Sequence, residues 1–348
     1  MSHATVTLDE IAKRAGVSSR TAYRILNGEG GKGARKDAIE RAERIRAVAH
    51  ELGYRPNQAA RAMRDGRFGA AGLMLSRGES TSTVQSGLLQ GVHDGLAEVG
   101  MHLTVARMSD DQFRDERYLP GALRDQMLDG LIMAYSHNEP PELVALLERY
   151  RIPTVWVNNA RAGDCVCPAD REAARLATEH LLKMGHKRIA YWSFSMPGGH
   201  YSIADRRAGY CDAMQAAGRR PVIRERELVT TTAAREGDDF LAVAREWLDV
   251  KQRPTAIVGE SQGVGLVASM AVLALGLRYP EDVSIMFVDQ NVEDVGGLAL
   301  SRFYCQAAAM GRAAVHELTA KIADPSTIRT PVSVPFTLFT GRTCAPPT

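Results

Sequence analysis

Apolar residues recur at helical spacing in the N-terminal part of this chain and alternate between strand and helix patterns in the rest. The first helical stripe consists of Leu8, Ile11, Ala12 and Ala15. Gly16 ends this helix, and Ser18 offers an N-cap oxygen to a second helix, which the spacing predicts over 19–27. A long amphipathic helix is predicted over 34–52. The opening segment is therefore predicted to be a helix-turn-helix with a third supporting helix.

A stiff joint and one more short helix follow the third helix. Pro56 removes a backbone donor and disfavours helix at the preceding arginine, so the segment YRPN at 54–57 is predicted to be extended. Asn57 can cap a short helix over 58–64, which Gly66 closes. These elements form a linker between the helical head and the remainder of the chain.

From Gly69 onwards, apolar runs alternate with amphipathic helices, the last of them around 311–322. This rhythm predicts open parallel sheets with helices on both faces, divided between two doubly wound lobes. The predicted fold class is α/β, with an N-terminal all-α helix-turn-helix domain. The predicted domains are residues 1–56, a hinge at 57–68 and a two-lobed body at 69–348. In such a body, ligands bind at the carboxyl ends of strands.

Charge is distributed unevenly along the chain. The first 68 residues carry 14 Lys and Arg against 8 Asp and Glu, whereas the whole chain of 348 carries 43 against 41, a net charge of +2. A basic head on a mildly acidic body suits a chain that touches nucleic acid with its head alone. The 45% hydrophobic content supports a sizeable core.

Neither the N-terminus nor the cysteines indicate export or a membrane. The opening MSHATVTLDE lacks a basic segment followed by an apolar run, and no stretch approaches 18 apolar residues. The five scattered cysteines suggest reduced, structural thiols in a cytosol. Cys165-Val-Cys167 has the wrong spacing for a zinc knuckle, and we expect it in a loop. We therefore expect a cytoplasmic protein with no metal, no cofactor and no membrane partner.

The predicted second helix exposes a polar face. Its members are Ser19, Arg20, Tyr23, Arg24 and Asn27. Such side chains can reach base edges and phosphates in a major groove. An ordinary helical hairpin with a solvated basic face is the alternative, and the agreement of turn, spacing and charge favours DNA reading.

Several long segments carry a resemblance to a known family. They are TLDEIAKRAGVSSRTAYRILN, GYRPNQAARAMR, ARLATEHLLKMGHKRIAY, RPTAIV, PEDVSIMFVD and GRTCAPP. In these segments, which are collinear over nearly the whole chain, the sequence resembles the lac-repressor (LacI/GalR-type) family of bacterial transcription regulators. The resemblance implies a periplasmic-binding-protein-like body and a homodimer, or a dimer of dimers, on double-stranded operator DNA. It also implies a small-molecule effector, such as a sugar, a sugar acid or a nucleobase, and favours repression over activation.

The resemblance assigns DNA contacts residue by residue. Ser19 and Arg20 match the family's base-reading positions, and the fork of Arg20 can meet guanine O6 and N7. Positions that contact phosphate or lock the helix are matched by Thr21, Arg24 and Asn27. Tyr23 departs from the family's usual small serine, which leaves the operator sequence open. The full set of expected DNA-contacting residues is Thr7, Ser18, Ser19, Arg20, Thr21, Tyr23, Arg24, Asn27, Tyr54, Asn57, Ala60, Arg61, Met63 and Arg64.

In the predicted short helix, Met63 stands where the family usually has a leucine that wedges into the minor groove. A flexible thioether can also wedge between base pairs, with packing under the joint as the alternative. Ala60 keeps the helix thin enough for two copies to pack in the groove. Arg61 and Arg64 add phosphate attraction, unless they belong to a solvated linker.

The resemblance also maps an effector cleft. Arg206 matches a family arginine that commonly grips hydroxyls or a carboxylate, and Asn158 replaces a frequent aspartate. Tyr135 and Trp192 are candidates to stack on a sugar or ring, with burial in the core as the alternative. The expected effector-binding residues are Ser82, Gln85, Tyr135, Asn158, Trp192, Arg206, Ser261, Gln262 and Asp289. The loss of acids suggests a carboxylate-bearing effector held by Arg206.

Other functions fit parts of the sequence. The pattern G-x-S-x-G at 259–263 matches a hydrolase nucleophile elbow, with Ser261, Asp289 and His316 in triad order. Because His316 lies inside a predicted helix and no Gly-rich oxyanion segment precedes the serine, we expect no catalytic residue and no enzyme. The DNA-directed head disfavours a pure sugar-binding protein, and an effector-independent DNA-binding protein stays open.

Overall fold

The computed structural model describes residues 6–26, 36–54, 66–78, 82, 84–114, 128–195, 199–227, 239–290, 297 and 299–348. The chain divides into two compact units, an N-terminal unit of Met1–Phe68 and a body of Gly69–Thr348. Each unit has a hydrophobic core of its own.

The described part of the N-terminal unit consists of α1 (Leu8–Ala15), α2 (Ser19–Leu26) and α3 (Lys36–Glu51). Their apolar stripes meet in one core, where Ile11, Ala22 and Ile45 are fully buried. Thr7 and Glu10 form a capping box at the start of α1, so two otherwise orphaned backbone donors are satisfied. The predicted helix-turn-helix and its supporting helix are confirmed.

A parallel sheet forms the centre of the first lobe of the body. Its strands are β1 (Ala70–Ser76), β2 (His102–Met108), β3 (Gly130–Met133), β4 (Thr154–Val157), β5 (Cys165–Pro168) and β11 (Val332–Val334). They lie in the order β11-β5-β4-β3-β1-β2. The helices of this lobe are α4 (Ser86–Glu98), α5 (Pro141–Arg149) and α10 (Ala307–Ala323).

The second lobe repeats this plan. Its strands are β6 (Ile189–Ser195), β7 (Val222–Glu227), β8 (Ala256–Gly259), β9 (Ser284–Asp289), β10 (Ser301–Cys305) and β12 (Phe336–Phe339). Their order is β12-β10-β9-β8-β6-β7, parallel apart from the antiparallel β10–β12 pair. The helices are α6 (Asp170–Lys183), α7 (Tyr201–Ala216), α8 (Phe240–Leu248) and α9 (Gln262–Ala274). Two doubly wound lobes are therefore confirmed.

The chain passes between the lobes at one side of the body. It crosses after β5, after β10 and after β11. In the first sheet, β11 and β5 are neighbours at one edge, and in the second sheet β12 and β10 are neighbours at one edge. The opposite edges, β2 and β7, are the strands farthest from the crossings.

Two glycines allow helices to pack backbone against backbone. A Cβ added at Gly91 on α4 would lie 2.1 Å from the carbonyl oxygen of Ala308, and one at Gly209 on α7 would lie 1.9 Å from that of Arg171. No side chain fits such a gap, so glycine is required at both positions for these helices to approach.

Two sequence predictions about local structure are wrong. Cys165-Val-Cys167 lies in β5 rather than in a loop, because this short apolar run completes the first sheet beside β4. The last helix begins at Ala307, one turn earlier than predicted, because the small residues before Gly311 pack closely on α4. Within the described ranges, no helix is long and apolar enough to span a bilayer.

Candidate functional site

Helix α2 presents a basic face to solvent. Ala22 and Ile25 hold the helix on the core of the N-terminal unit. Arg20 and Arg24 lie on the other side and are exposed, while Thr21 and the remaining polar positions of the helix are half-buried. Helix α2 therefore carries its two guanidinium groups where an external partner can reach them.

The other polar residues at this turn are partly occupied within the unit. The Ser18 hydroxyl accepts from the Thr21 amide at 3.2 Å and lies 2.9 Å from the Thr21 hydroxyl, so Ser18 caps α2 as predicted. The Ser19 hydroxyl donates to Asp9 on α1. Gly16 takes the left-handed conformation, with φ of 66°, that the tight turn requires. These contacts fix the angle between α1 and α2.

The joint begins on the core of the N-terminal unit. Tyr54 is half-buried against that core, and burial, with Tyr23 nearby, raises the pKa of its hydroxyl. The remaining expected DNA contacts lie outside the described residues, together with the predicted short helix at 58–64. They are Asn27, Asn57, Ala60, Arg61, Met63 and Arg64.

The expected effector residues surround the carboxyl ends of the two sheets, where the lobes face each other. In the first lobe, Ser82 and Gln85 follow β1, Tyr135 follows β3 and Asn158 follows β4. In the second lobe, the corresponding positions are Trp192 in β6, Arg206 in α7, Ser261 and Gln262 after β8, and Asp289 at the end of β9. Trp192 was predicted to follow a strand and lies inside β6 instead, whereas Tyr135 and Asn158 follow strands as predicted.

Hydrogen bonds between amide side chains join the two lobes across this cleft. Gln290, directly after β9, accepts from Gln85 Nε2 at 2.9 Å and donates to Asn158 Oδ1 at 2.9 Å. Two residues at the start of α7 add to the same centre: His200 Nε2 lies 2.9 Å from the Asn158 carbonyl oxygen, and the Tyr201 hydroxyl lies 3.4 Å from Oδ1. Sequence reasoning missed Gln290, His200 and Tyr201; for Gln290, the one available signal was its place beside Asp289.

Burial holds His200 in its neutral form. The loss of hydration lowers the pKa of its imidazole to about 4. The neutral ring accepts from the Ser202 amide through Nδ1 at 3.3 Å, and Nε2–H is then free to donate to Asn158. His200, the N-cap of α7, and Tyr201, its first residue, thus position Asn158 from the opposite lobe.

Arg206 is engaged by the protein itself. Its Nε donates to Asp170 at 2.7 Å, and Nη1 donates to the carbonyl oxygens of Val288, at 3.0 Å, and of Glu260. The side chains of Arg206 and Asp170 are 7% and 0% exposed. Arg206 therefore ties α7 to the first crossing and to the ends of β8 and β9.

Acidic groups outnumber this guanidinium. Burial raises the pKa of Asp170 and raises that of Glu260 to about 7, although Arg206 opposes both shifts. The charge of Asp289 acts on both carboxyls in the same direction as burial. The Arg206 guanidinium therefore already has an acidic partner in Asp170, and the charge of Asp289 acts on the same group of carboxyls. The carboxylate-bearing effector that the sequence suggested stays a prediction.

Both candidate stacking aromatics are core residues. Tyr135 and Trp192 are 0% exposed. Tyr135 donates its hydroxyl to Asp110 at 2.9 Å and meets Trp156 edge-on, while Trp192 meets Trp247 edge-on at 5.2 Å between ring centroids. Burial, the alternative that the sequence left open, is what the structure has, and neither ring offers a face to a ligand.

The G-x-S-x-G segment forms a helix cap. The Ser261 hydroxyl accepts from the Val264 amide at 3.4 Å and donates to Glu260 at 3.3 Å. Asp289 accepts from the Gln262 amide at 2.6 Å, which holds the start of α9 beside the end of β9. His316 lies on α10 in the other lobe, with its ring 3.1 Å from Glu317. The hydrolase arrangement is therefore not assembled.

The described residues contain neither a disulfide nor a candidate metal site. All five cysteines are free. In the part of the chain that the structure describes, no group of three His, Cys, Asp or Glu side chains could hold a metal ion.

Comparisons with known proteins agree along the chain. Residues 75–324 match the model for periplasmic binding proteins and the sugar-binding domain of the LacI family, and residues 7–57 match that for bacterial regulatory proteins of the lacI family. The HTH-type transcriptional regulator CelR of Thermobifida fusca is 29% identical over 82% of each chain.

Two solved structures show the same fold. The lac repressor dimer bound to operator and the anti-inducer ONPF matches with a TM-score of 0.74 at 20% identity, over 98% of this chain and all of that one. The transcriptional regulator CelR–cellobiose complex matches with a TM-score of 0.62 at 24% identity, over 97% and 99%.

Proposed function

The chain belongs to the LacI family of bacterial regulatory proteins, and we propose that it represses transcription by binding an operator as a homodimer under the control of a small neutral effector. It is a DNA-binding transcription regulator, not an enzyme. The observation that carries the proposal is the pairing of an exposed basic α2 with a two-lobed cleft lined by amide side chains.

We assign DNA reading to α2 and DNA attachment to its surroundings. Arg20 is the proposed base reader, and Arg24 is a proposed phosphate contact. We propose that residues 1–56 bind DNA, residues 57–68 form the hinge, and residues 69–348 bind the effector and dimerise. Because chromosomal DNA is the proposed partner, we place the protein in the cytoplasm, on the nucleoid.

Exposed apolar side chains on the body support a homodimer. Leu89 on α4 is 39% exposed, and Met270 and Leu273 on α9 are 55% and 58% exposed. A second copy of the chain would remove such side chains from water. A two-fold dimer presents two copies of α2 and therefore selects an inverted repeat.

The proposed effector is a neutral polyhydroxyl compound, such as a sugar. Amides from both lobes, those of Gln85, Asn158 and Gln290, supply donors and acceptors that hydroxyl groups can meet. The acidic surroundings of Arg206 support this choice over a sugar acid.

Coupling between the two sites follows from a shared equilibrium. Ordering the hinge costs conformational entropy, which DNA contact offsets. A ligand that changes the angle between the lobes changes the spacing of the two hinges, so it favours or opposes DNA binding. Coupling of this kind amounts to about 1–3 kcal/mol, or roughly 5–150-fold in affinity. Corepression or activation would use the same parts.

Selection from a random duplex pool tests the DNA-binding half of the proposal. Purified full-length protein, at about 0.15 M salt, is expected to enrich an inverted repeat with half-sites about one helical turn apart. Enrichment of no motif would contradict it. Calorimetry of the same protein against neutral sugars and sugar acids tests the effector half, and an operator binder that binds none of them would be the effector-independent protein.

A further inference from the structure

One carboxamide joins the two lobes of the body. Gln290 belongs to the second lobe, yet its oxygen and nitrogen both bond to the first lobe, at Gln85 after β1 and at Asn158 after β4. The side chain uses its acceptor and a donor in two directions at once. It is 8% exposed, so water competes little for these bonds.

The partners of Gln290 are held in place by their backbones and neighbours. Asn158 has φ of 55°, a left-handed conformation that asparagine tolerates better than most residues. His200 and Tyr201 fix its carbonyl oxygen and Oδ1 from the second lobe. The backbone amide of Gln290 donates to the Asp289 carboxylate at 2.6 Å, which holds the backbone from which the side chain extends. The acceptor at Asn158 and the backbone of Gln290 are thus both preorganised.

These bonds lie where they can control the angle between the lobes. The crossings gather at the β5–β11 and β10–β12 edges. Gln85, Asn158 and Gln290 follow β1, β4 and β9, which lie inside the sheets and away from the outermost strands β11 and β12. β4 and β9 adjoin the crossing strands β5 and β10, whereas β1 lies two strands further in. The bond to Gln85 is therefore farther from the crossings and resists opening of the cleft more.

We propose that Gln290 is an interlobe latch that occupies part of the effector cleft, so that an effector binds by replacing it. The regulatory role of such a ligand rests on the function proposed above, whereas the latch itself does not. A ligand that takes over must donate a hydrogen bond to Asn158 Oδ1 and accept one from Gln85 Nε2. A hydroxyl group does both, and a carboxylate can only accept. The latch therefore selects neutral polyhydroxyl ligands. Their contacts must offset the loss of the two latch hydrogen bonds before they bind.

The distance between the sheet edges opposite the crossings reports directly on the latch. Gln112 is exposed in the turn after β2, and Glu227 is exposed at the end of β7. Both positions are replaced by azide-bearing residues and labelled as a dye pair, which leaves the native thiols untouched. The full-length protein is measured by single-molecule energy transfer without DNA or ligand, so the result does not depend on operator or effector.

Three variants break the latch in different ways. Gln290→Ala removes both bonds. Gln290→Glu keeps the volume and the acceptor for Gln85 but places a carboxylate against Asn158 Oδ1. Asn158→Gly removes that acceptor while suiting the positive φ, so it introduces no backbone strain. Asn138→Gly is the matched control, because Asn138 is exposed and has φ of 53°.

The expected result is a shift to longer distances in all three latch variants, with the ratio of open to closed molecules raised about tenfold. The parent chain and Asn138→Gly should share one shorter distribution. A distribution unchanged by Gln290→Ala and Asn158→Gly, in variants whose circular dichroism and melting match the parent, would overturn the latch. Failure of operator selection, with the shift present, would overturn the proposed function and leave the latch standing.

Discussion

At the scale of single residues, the buried Arg206–Asp170 pair determines how the second lobe is assembled. Both side chains are almost fully removed from water, and Arg206 also satisfies two strand-end carbonyl oxygens. The sequence identifies Arg206 but not its partner, because the two residues are 36 positions apart and no local pattern links them. Tyr135, after β3, and Trp192, inside β6, show the same limit, since the sequence does not tell whether such an aromatic residue faces the core or the cleft.

Removing one member of this pair leaves an uncompensated buried charge. We expect Asp170→Ala to lower the free energy of unfolding by about 3–5 kcal/mol, measured by urea denaturation. Asp212→Ala is the control, because Asp212 pairs with Arg171 at the surface, where the side chains are 39% and 60% exposed. That change should cost less than about 1 kcal/mol. Equal losses from both variants would contradict the role of burial.

Glu260 makes stability depend on pH. Its pKa is raised from 4.5 to about 7 by burial, so the folded state holds the proton more tightly than the unfolded state does. Stability from this group is therefore complete below pH 4.5 and is lost as pH rises through about 7. The loss is of the order of 3 kcal/mol. In Glu260→Gln, the urea midpoint should depend less on pH over this window. A pH profile of the midpoint that runs parallel to that of the parent chain would refute the assignment.

At the scale of elements, the helix-turn-helix and the alternation of strands and helices are both visible in the sequence, because each depends on local spacing. Short strands such as β5 are harder to predict, because four residues carry too little of an alternating or continuous apolar pattern. Interlobe contacts were missed for another reason. Gln85 and Gln290 are 205 positions apart, and polar residues at strand ends do not reveal which of them meet.

We expect the two exposed arginines of α2 to have different roles. One sets the sequence specificity of DNA binding, and the other contributes affinity for any duplex. Arg20→Ala is expected to remove about 1–3 kcal/mol of discrimination between the best site and its mismatches. Arg24→Ala should weaken binding to all duplexes and reduce the salt slope by about one. Fluorescence anisotropy at several salt concentrations measures both quantities. Identical losses on every duplex from both variants would contradict this division.

The contact between α6 and α7 depends on one missing side chain. Gly209→Ala places a methyl group 1.9 Å from the Arg171 carbonyl oxygen, so the helices must separate, at a cost of about 1–3 kcal/mol or more. Gly263→Ala on α9 is the control, because the Ser261 hydroxyl at 3.8 Å is the nearest atom to its added Cβ. That change should be neutral or stabilising by up to about 1 kcal/mol. The melting temperatures of the two variants, measured by thermal unfolding, should therefore differ.

At the scale of the whole molecule, two sheets are joined at one side and bridged by amides across the cleft. The N-terminal unit carries an exposed basic helix. Family membership accounts for this plan, and the chain's own residues set its chemistry. Gln290 makes two hydrogen bonds to the first lobe, and we propose that ligand binding changes the angle between the lobes by replacing them.

We propose that a ligand bound in the body controls the affinity of a symmetric dimer for DNA. The most direct test is the affinity of the full-length protein for its selected inverted repeat, at about 0.15 M salt, with and without the neutral compound that binds it in calorimetry. We predict tighter binding to the repeat than to a scrambled duplex, and a change of roughly 5–150-fold on adding the compound. Equal affinity for repeat and scrambled duplex, in both conditions, would contradict the account.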